Sequence, residues 1–136
     1  MKIIERQFSI GTDRRNEMID ITRQVASVVS ESGIADGDVV IYCPHTTAAV
    51  TINENADASV PRDILLTLES LIPHDNPGYR HSEGNSDAHA KSSVVGCSRQ
   101  VLIKGRTLVL GTWQGIFFCE FDGPRSRKVH VQVRGQ

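Results

Sequence analysis

The residues best suited to chemistry gather in one stretch, positions 81–96, which reads HSEGNSDAHAKSSVVG. His81 and His89 bracket Glu83 and Asp87, and Lys91, Ser92 and Ser93 follow at once. Imidazole and carboxylate together form the usual ligand set for zinc and related divalent metals. Hydroxyls beside a lysine suit phosphate oxygens. Two histidines eight positions apart would share a helical face poorly, and Gly84 and Ser86 argue against a helix. A loop doubling back is therefore expected to bring both rings to one ion. His45, at the junction of two β-rich runs, is the best third ligand. Three protein ligands with a fourth position open is the pattern of catalytic zinc, and Asp87 and Glu83 would orient the rings. The competing reading is a set of solvated loop histidines.

Other groups carry weaker signals. Glu54 and Glu120 lie beside apolar strand segments, and either would serve as a general base if partly buried. The bland alternative is that both are solvated. Lys91, Ser92 and Ser93 suit a phosphate site or a helix cap equally well. Thr47, beside His45, reads as a phosphate contact or as β-branched strand filler. Neither GxxxxGK[ST] nor GxGxxG occurs, so the common nucleotide cradles are absent. Cys97 and His89 are too little marked to be a nucleophile pair.

The elements that must position these groups follow from patterning. Residues 3–10, 39–43, 46–52, 99–103, 107–112, 116–121 and 129–133 read as strands from their branched and aromatic content. The run at 39–43 lacks alternation, which suggests burial on both faces. Val25, Val28 and Val29 mark a helix after Asp20 or Thr22, ended by Gly33. A second helix, capped by Asp57 or Ser59, carries Ile64, Leu65, Leu68, Leu71 and Ile72, and Pro73 ends it. Residues 73–88 show no apolar periodicity and read as a long functional loop, followed by a short helical turn over 90–96. Positions 128, 130, 132 and 134 share one face of the last strand, a charged run that suggests a soluble edge. The sum is an α+β domain spanning 1–136, with antiparallel strands and two main helices.

Composition sets limits on function. A formal charge of -1 argues against a general nucleic-acid binder. No run reaches membrane-spanning length, and the N-terminus lacks a signal-peptide core. Cys43, Cys97 and Cys119 show no CxxC spacing, and Cys43 and Cys119 sit in apolar runs. That usage fits free thiols in a reducing cytoplasm.

Five segments together resemble one family: residues 45–49 (HTTAA), 53–57 (NENAD), 79–81 (YRH), 88–93 (AHAKSS) and 110–116 (LGTWQGI). They are similar to the YjbQ-like family, also called secondary thiamine-phosphate synthases, in the family's order along almost the whole chain. The resemblance implies a two-sheet β-sandwich assembled as a homotrimer, with His45, His81 and His89 in a histidine cluster near a subunit boundary. It also implies a weak transferase activity that joins hydroxymethylpyrimidine diphosphate to a thiazole phosphate with loss of pyrophosphate. By that analogy the histidines hold a divalent metal, zinc or, with a diphosphate substrate, magnesium. Thr47, Lys91, Ser92 and Ser93 would bind phosphate oxygens, and Glu54 or Asp87 would orient ligands or move a proton. The chain departs from the family pattern where Asp87-Ala88-His89 runs without an insert, implying a shorter loop. Rival expectations are a metal-dependent hydrolase of a small phosphorylated metabolite and a non-catalytic ligand- or metal-binding trimer.

Overall fold

A computed structural model describes Met1–Gln136. Two antiparallel sheets face each other. The larger has five strands in the order β1 (Lys2–Gly11), β8 (Ser126–Gly135), β3 (Gly37–Tyr42), β5 (Ser98–Lys104) and β6 (Thr107–Leu108). The smaller places β7 (Gln114–Glu120) between β2 (Glu17–Asp20) and β4 (Ala48–Glu54). Three helices complete the order: α1 (Thr22–Ser32), α2 (Ser59–Leu71) and α3 (Ser86–Val95).

Alternating side chains build the main core between the sheets. Val39, Ile41, Val129 and Val131 from the large sheet meet Val50, Ile116 and Phe118 from the small one, and Val25, Val28 and Val29 of α1 join them. A second cluster lies on the outer face of the small sheet, where Ala49, Phe117, Cys119 and Phe121 meet Ala88 of α3, with Leu65 and Leu68 of α2 packed against them. β7 is thus covered on both faces and buried from Gly115 to Glu120. Double burial was expected of residues 39–43. In β3, however, Val39 and Ile41 are buried while Tyr42 is exposed, because the outer face of the large sheet is open.

The helix boundaries follow local chemistry. The Asp20 carboxylate accepts the Thr22 amide (2.9 Å) before α1, and Gly33 closes it in the left-handed region, at φ 71°. The Asp57 carboxylate does the same for Ser59 before α2 (2.9 Å), with Pro61 inside the first turn as its missing N–H permits.

Other expectations are corrected. The last strand is interior, paired with β1 on one side and β3 on the other. Its charged positions mark the solvent-facing side of the sheet rather than an edge. The helix foreseen at 90–96 begins at Ser86, so the 73–88 loop is shorter and His89 is helical. This third helix has no apolar face to betray it; the side chains it buries include Asp87, Lys91 and Ser92. The strand foreseen at 107–112 ends at Leu108, since only Thr107 and Leu108 find ladder partners on β5. β2 was not foreseen: it is four residues long and too short to carry a periodic signal.

Candidate functional site

α3 and the loop before it hold the chemically most suggestive arrangement. His89 closes the first turn of α3, and the chain from Pro73 returns to set His81 against it. The two rings are 5.4 Å apart between centroids and nearly perpendicular, at 81°. Two imidazoles ligating one tetrahedral zinc, with Zn–N near 2.05 Å, would have centroids roughly 5 Å apart. The observed spacing matches that, and it also lies within the range of edge-to-face ring packing. Glu83 approaches His81 at 3.9 Å, a loose and exposed contact.

The loop is closed by a residue that sequence reasoning passed over. His74 Nε2 lies 2.8 Å from the Gly84 carbonyl oxygen. A carbonyl only accepts, so Nε2 carries the hydrogen and Nδ1 is free in the neutral ring. The loop borders an open surface cleft of about 480 Å³ lined by His74, Asp75, Asn76, Tyr79, His81 and Ser86 among others. Its signal in the sequence was an imidazole inside the same non-periodic stretch as His81.

Buried charges fix α3 in place. Asp87 is 0% exposed and takes two hydrogen bonds from the Arg15 guanidinium, at 2.9 and 3.0 Å. Lys91, 1% exposed, donates to Glu69 on α2 and to Asn16 (3.3 Å), and sits 3.6 Å from Asp87. Burial by itself would raise the Asp87 pKa; the Arg15 hydrogen bonds and charge outweigh it and hold the carboxyl below its usual range. Hydrogen bonding to Lys91 likewise lowers Glu69. Arg15, Asn16 and Glu69 were absent from the sequence reading, because nothing local links them to a helix 70 residues away along the chain or one element before it. Asp87 is thus a fully paired anion two residues from His89. It holds the ring's helix in place and is poorly suited to accept a proton.

The remaining expected site residues lie elsewhere. His45 follows β3, with its ring edge-on to Phe118 at 6.5 Å, and its Nε2 accepts the Lys128 amide N–H at 2.9 Å. That bond occupies the unprotonated nitrogen and leaves the proton on Nδ1. Burial, then the Arg127 charge, lower its pKa. Within one chain no three His, Cys, Asp or Glu side chains form a group able to hold a metal; His81 and His89 meet, and His45 stands apart from them. The Thr47 hydroxyl accepts from Arg127 (2.9 Å), and the Ser92 hydroxyl donates to the Ala48 carbonyl (2.6 Å). Both are buried. Ser93 is exposed and donates to the His89 carbonyl (3.0 Å).

Of the two strand glutamates, Glu120 is buried and ionised. It accepts from Thr12 (2.8 Å), from the Phe121 and Asp122 amides (3.0 Å each) and from Arg127 through both Nε and an Nη. These bonds overcome burial and hold its pKa low. Glu54 ends β4 half-buried. Six residue steps separate it from Ala48, about 20 Å along a strand. It belongs to a second polar corner, where the Asn55 amide donates to the Trp113 carbonyl (3.0 Å) and the Asn55 side chain to Asp20 (3.0 Å). Gly115 is required there, since a Cβ would lie 2.4 Å from Asn55 Nδ2.

No helix is long and apolar enough to cross a membrane. The family model described as "UPF0047 protein YjbQ-like" matches residues 6–136. A UPF0047 protein of Methanocaldococcus jannaschii is 56% identical over 129 residues, covering 95% of this chain and 93% of that one. The UPF0047 protein YugU of Bacillus subtilis is 52% identical over 128 residues, covering 94% and 97% respectively. A YbjQ-like protein of unknown function from Sulfolobus solfataricus superposes with a TM-score of 0.95 at 33% identity, covering 99% of each chain. With a shared fold, matched length and this degree of identity, the chain belongs to the YjbQ-like UPF0047 family.

Proposed function

We propose that the protein is an enzyme acting on a small phosphorylated metabolite at the His81–His89 pair, with a bound divalent metal as electrophile. The observation that carries this reading is the 5.4 Å approach of two imidazoles beside a polar cleft. Zinc is the metal best matched to two nitrogen ligands, and magnesium would enter with a diphosphate substrate. The His pair supplies fewer protein ligands than a catalytic zinc site commonly has, so substrate oxygens, water or a neighbouring subunit complete the shell. Exposed apolar side chains, including Leu66, Leu71, Leu102 and Trp113, are consistent with assembly into a homotrimer. The reaction we favour is the weak joining of hydroxymethylpyrimidine diphosphate to thiazole phosphate, in which the metal would neutralise the departing pyrophosphate.

A second reading, non-catalytic binding of a ligand or metal, has one observation in its favour. The two buried carboxylates, Asp87 and Glu120, are both fully paired and held ionised, which leaves neither free to shuttle protons. Metal analysis of protein purified without chelator tests the site. His81→Ala and His89→Ala should lose the metal, and His45→Ala should keep it. Full metal content in both of the first two variants would refute the assignment. Turnover of the pyrimidine diphosphate without the thiazole partner would instead mark a hydrolase. Binding without turnover would mark a binding protein.

A further inference from the structure

The rung just beyond the β3–β5 ladder is a pair of cysteines. The last strand partners are Tyr42 and Ser98, and one step further the Cys43 amide donates to the Cys97 carbonyl at 2.7 Å. Residues opposed in an antiparallel hydrogen-bonded pair have Cα atoms about 5.5 Å apart, inside the range of about 4.4–6.8 Å that a disulfide spans. Opposed positions also send their side chains to one face. Tyr42 and Ser98 are exposed on the outer face of the large sheet, so alternation turns both cysteines the other way. All three cysteines are free, and this pair differs in access: Cys97 is exposed and Cys43 is 1% exposed. Cys119 is no rival for either partner. It packs with Ala49 and Phe117 on the outer side of the small sheet, whereas Cys43 belongs to the core between the sheets.

We infer that Cys43 and Cys97 are a redox-active pair that closes a reversible cross-strand disulfide, with a small-molecule disulfide as oxidant. The exposed Cys97 thiolate attacks one sulfur of that molecule and expels its other half as a thiolate. The Cys43 thiolate then attacks the Cys97 sulfur of the mixed disulfide and expels the second half. One S–S bond in the protein replaces one in the oxidant, and the two cysteine protons pass to the two departing thiolates. Access sets this order, since the oxidant reaches Cys97 and not Cys43. Burial pushes the Cys43 thiol up to about 11, which makes the second attack the slower one at neutral pH. The Cβ atoms of such a pair stand up to about 5.5 Å apart, about 1 Å more than a disulfide takes. Closure therefore strains the rung, and strained, accessible disulfides are the easily reduced ones. Cys97 can yield because it lies one residue before β5 begins. The bridge ties the residue after Gly96, which caps α3, to the strand end that leads through Pro44 to His45. The pair needs neither the metal nor the substrate proposed above.

The test is equilibration of the folded protein in mixtures of reduced and oxidised glutathione, then acid quenching and non-reducing peptide mapping by mass spectrometry. As the oxidised share rises, the wild-type protein should lose two hydrogens and yield one linked peptide pair containing Cys43 and Cys97. Excess reduced glutathione should reopen it completely. Cys43→Ala should stop at the mixed disulfide, with one glutathione on Cys97, and Cys97→Ser should take up none. The inference is overturned if the wild-type protein stays a dithiol or stops at glutathione on Cys97. It is equally overturned if Cys119 supplies the second sulfur, or if reduced glutathione leaves the bridge closed. The wild-type map alone decides among these outcomes should Cys43→Ala fail to fold.

Discussion

Glu120→Gln is the sharpest probe of what holds the His45 corner together. The glutamate is 0% exposed and gathers donors from three directions: Thr12 after β1, Arg127 on β8 and the amides of Phe121 and Asp122 that follow it. Arg127 in turn reaches both the Thr47 carbonyl and its hydroxyl. The substitution keeps the shape but leaves the guanidinium buried without its counter-charge. Breaking a buried pair from one side costs about 3–5 kcal/mol. For a domain of this size that lowers the melting midpoint by roughly 10–20 °C. Arg127→Met should cost a similar amount, while the double variant Glu120→Leu, Arg127→Met should recover much of the loss, because no lone charge remains. Chemical denaturation of the wild-type protein, Glu120→Leu, Arg127→Met and the double variant closes the cycle, with a coupling of at least ~2 kcal/mol expected. If Glu120→Gln costs less than ~1 kcal/mol, the range of exposed pairs, the corner is not held by this pair.

Acid should unfold the protein through the same groups. Asp87 and Glu120 have pKa values below their ordinary range in the folded state, so the stability they contribute is complete above about pH 5 and is lost as pH falls from about 4 through the folded values. Thermal melts from pH 7 to pH 2.5 should show that loss, and flat melts across the range would refute it. Under native conditions a thiol reagent should modify Cys97 alone, since Cys43 and Cys119 are buried with pKa values pushed up to about 11 and about 12. Rapid modification of more than one thiol would contradict that. Ser92→Ala should destabilise by about 1–2 kcal/mol, because it orphans a carbonyl beneath α3, whereas Ser93→Ala should change little; urea midpoints separate them.

Much of the architecture was legible because apolar residues recur at the right period. Val25, Val28 and Val29 announce α1 and bury as that spacing requires, and the outward row 128, 130, 132, 134 was assigned to one face correctly. What failed was information that periodicity does not carry. A charged row tells that a face is wet, not whether the strand has neighbours, so β8 could not be placed between β1 and β3 from its own residues. α3 was invisible for the opposite reason. Its inner side is made of Asp87, Lys91 and Ser92 with Ala88, which read as surface residues until Arg15, Glu69 and the Ala48 carbonyl are brought to them by the fold. The meeting of His81 with His89 was anticipated, and the route to it differs: a helix carries one ring, and a loop latched by His74 carries the other.

A helix held by charges rather than by an apolar face separates stability from geometry, and that separation can be measured. Buried ion pairs seldom stabilise more than apolar groups of equal volume, because desolvation offsets the attraction. They do demand particular partners, so the Arg15, Asp87 and Lys91 set fixes the roll of α3 and with it the direction of His89. The triple variant Arg15→Met, Asp87→Leu, Lys91→Met leaves no lone buried charge, since Glu69 is 44% exposed and can be solvated. It should melt no lower than the wild-type protein. Yet with the orienting contacts gone, the zinc affinity we propose for His81 and His89 should fall by about 10- to 100-fold, the usual cost of losing hydrogen-bonded support around metal ligands. If melting is unchanged and zinc titration is also unchanged, the apolar contact of Ala88 with the small sheet is sufficient to aim the ring, and the charge network has no part in shaping the site.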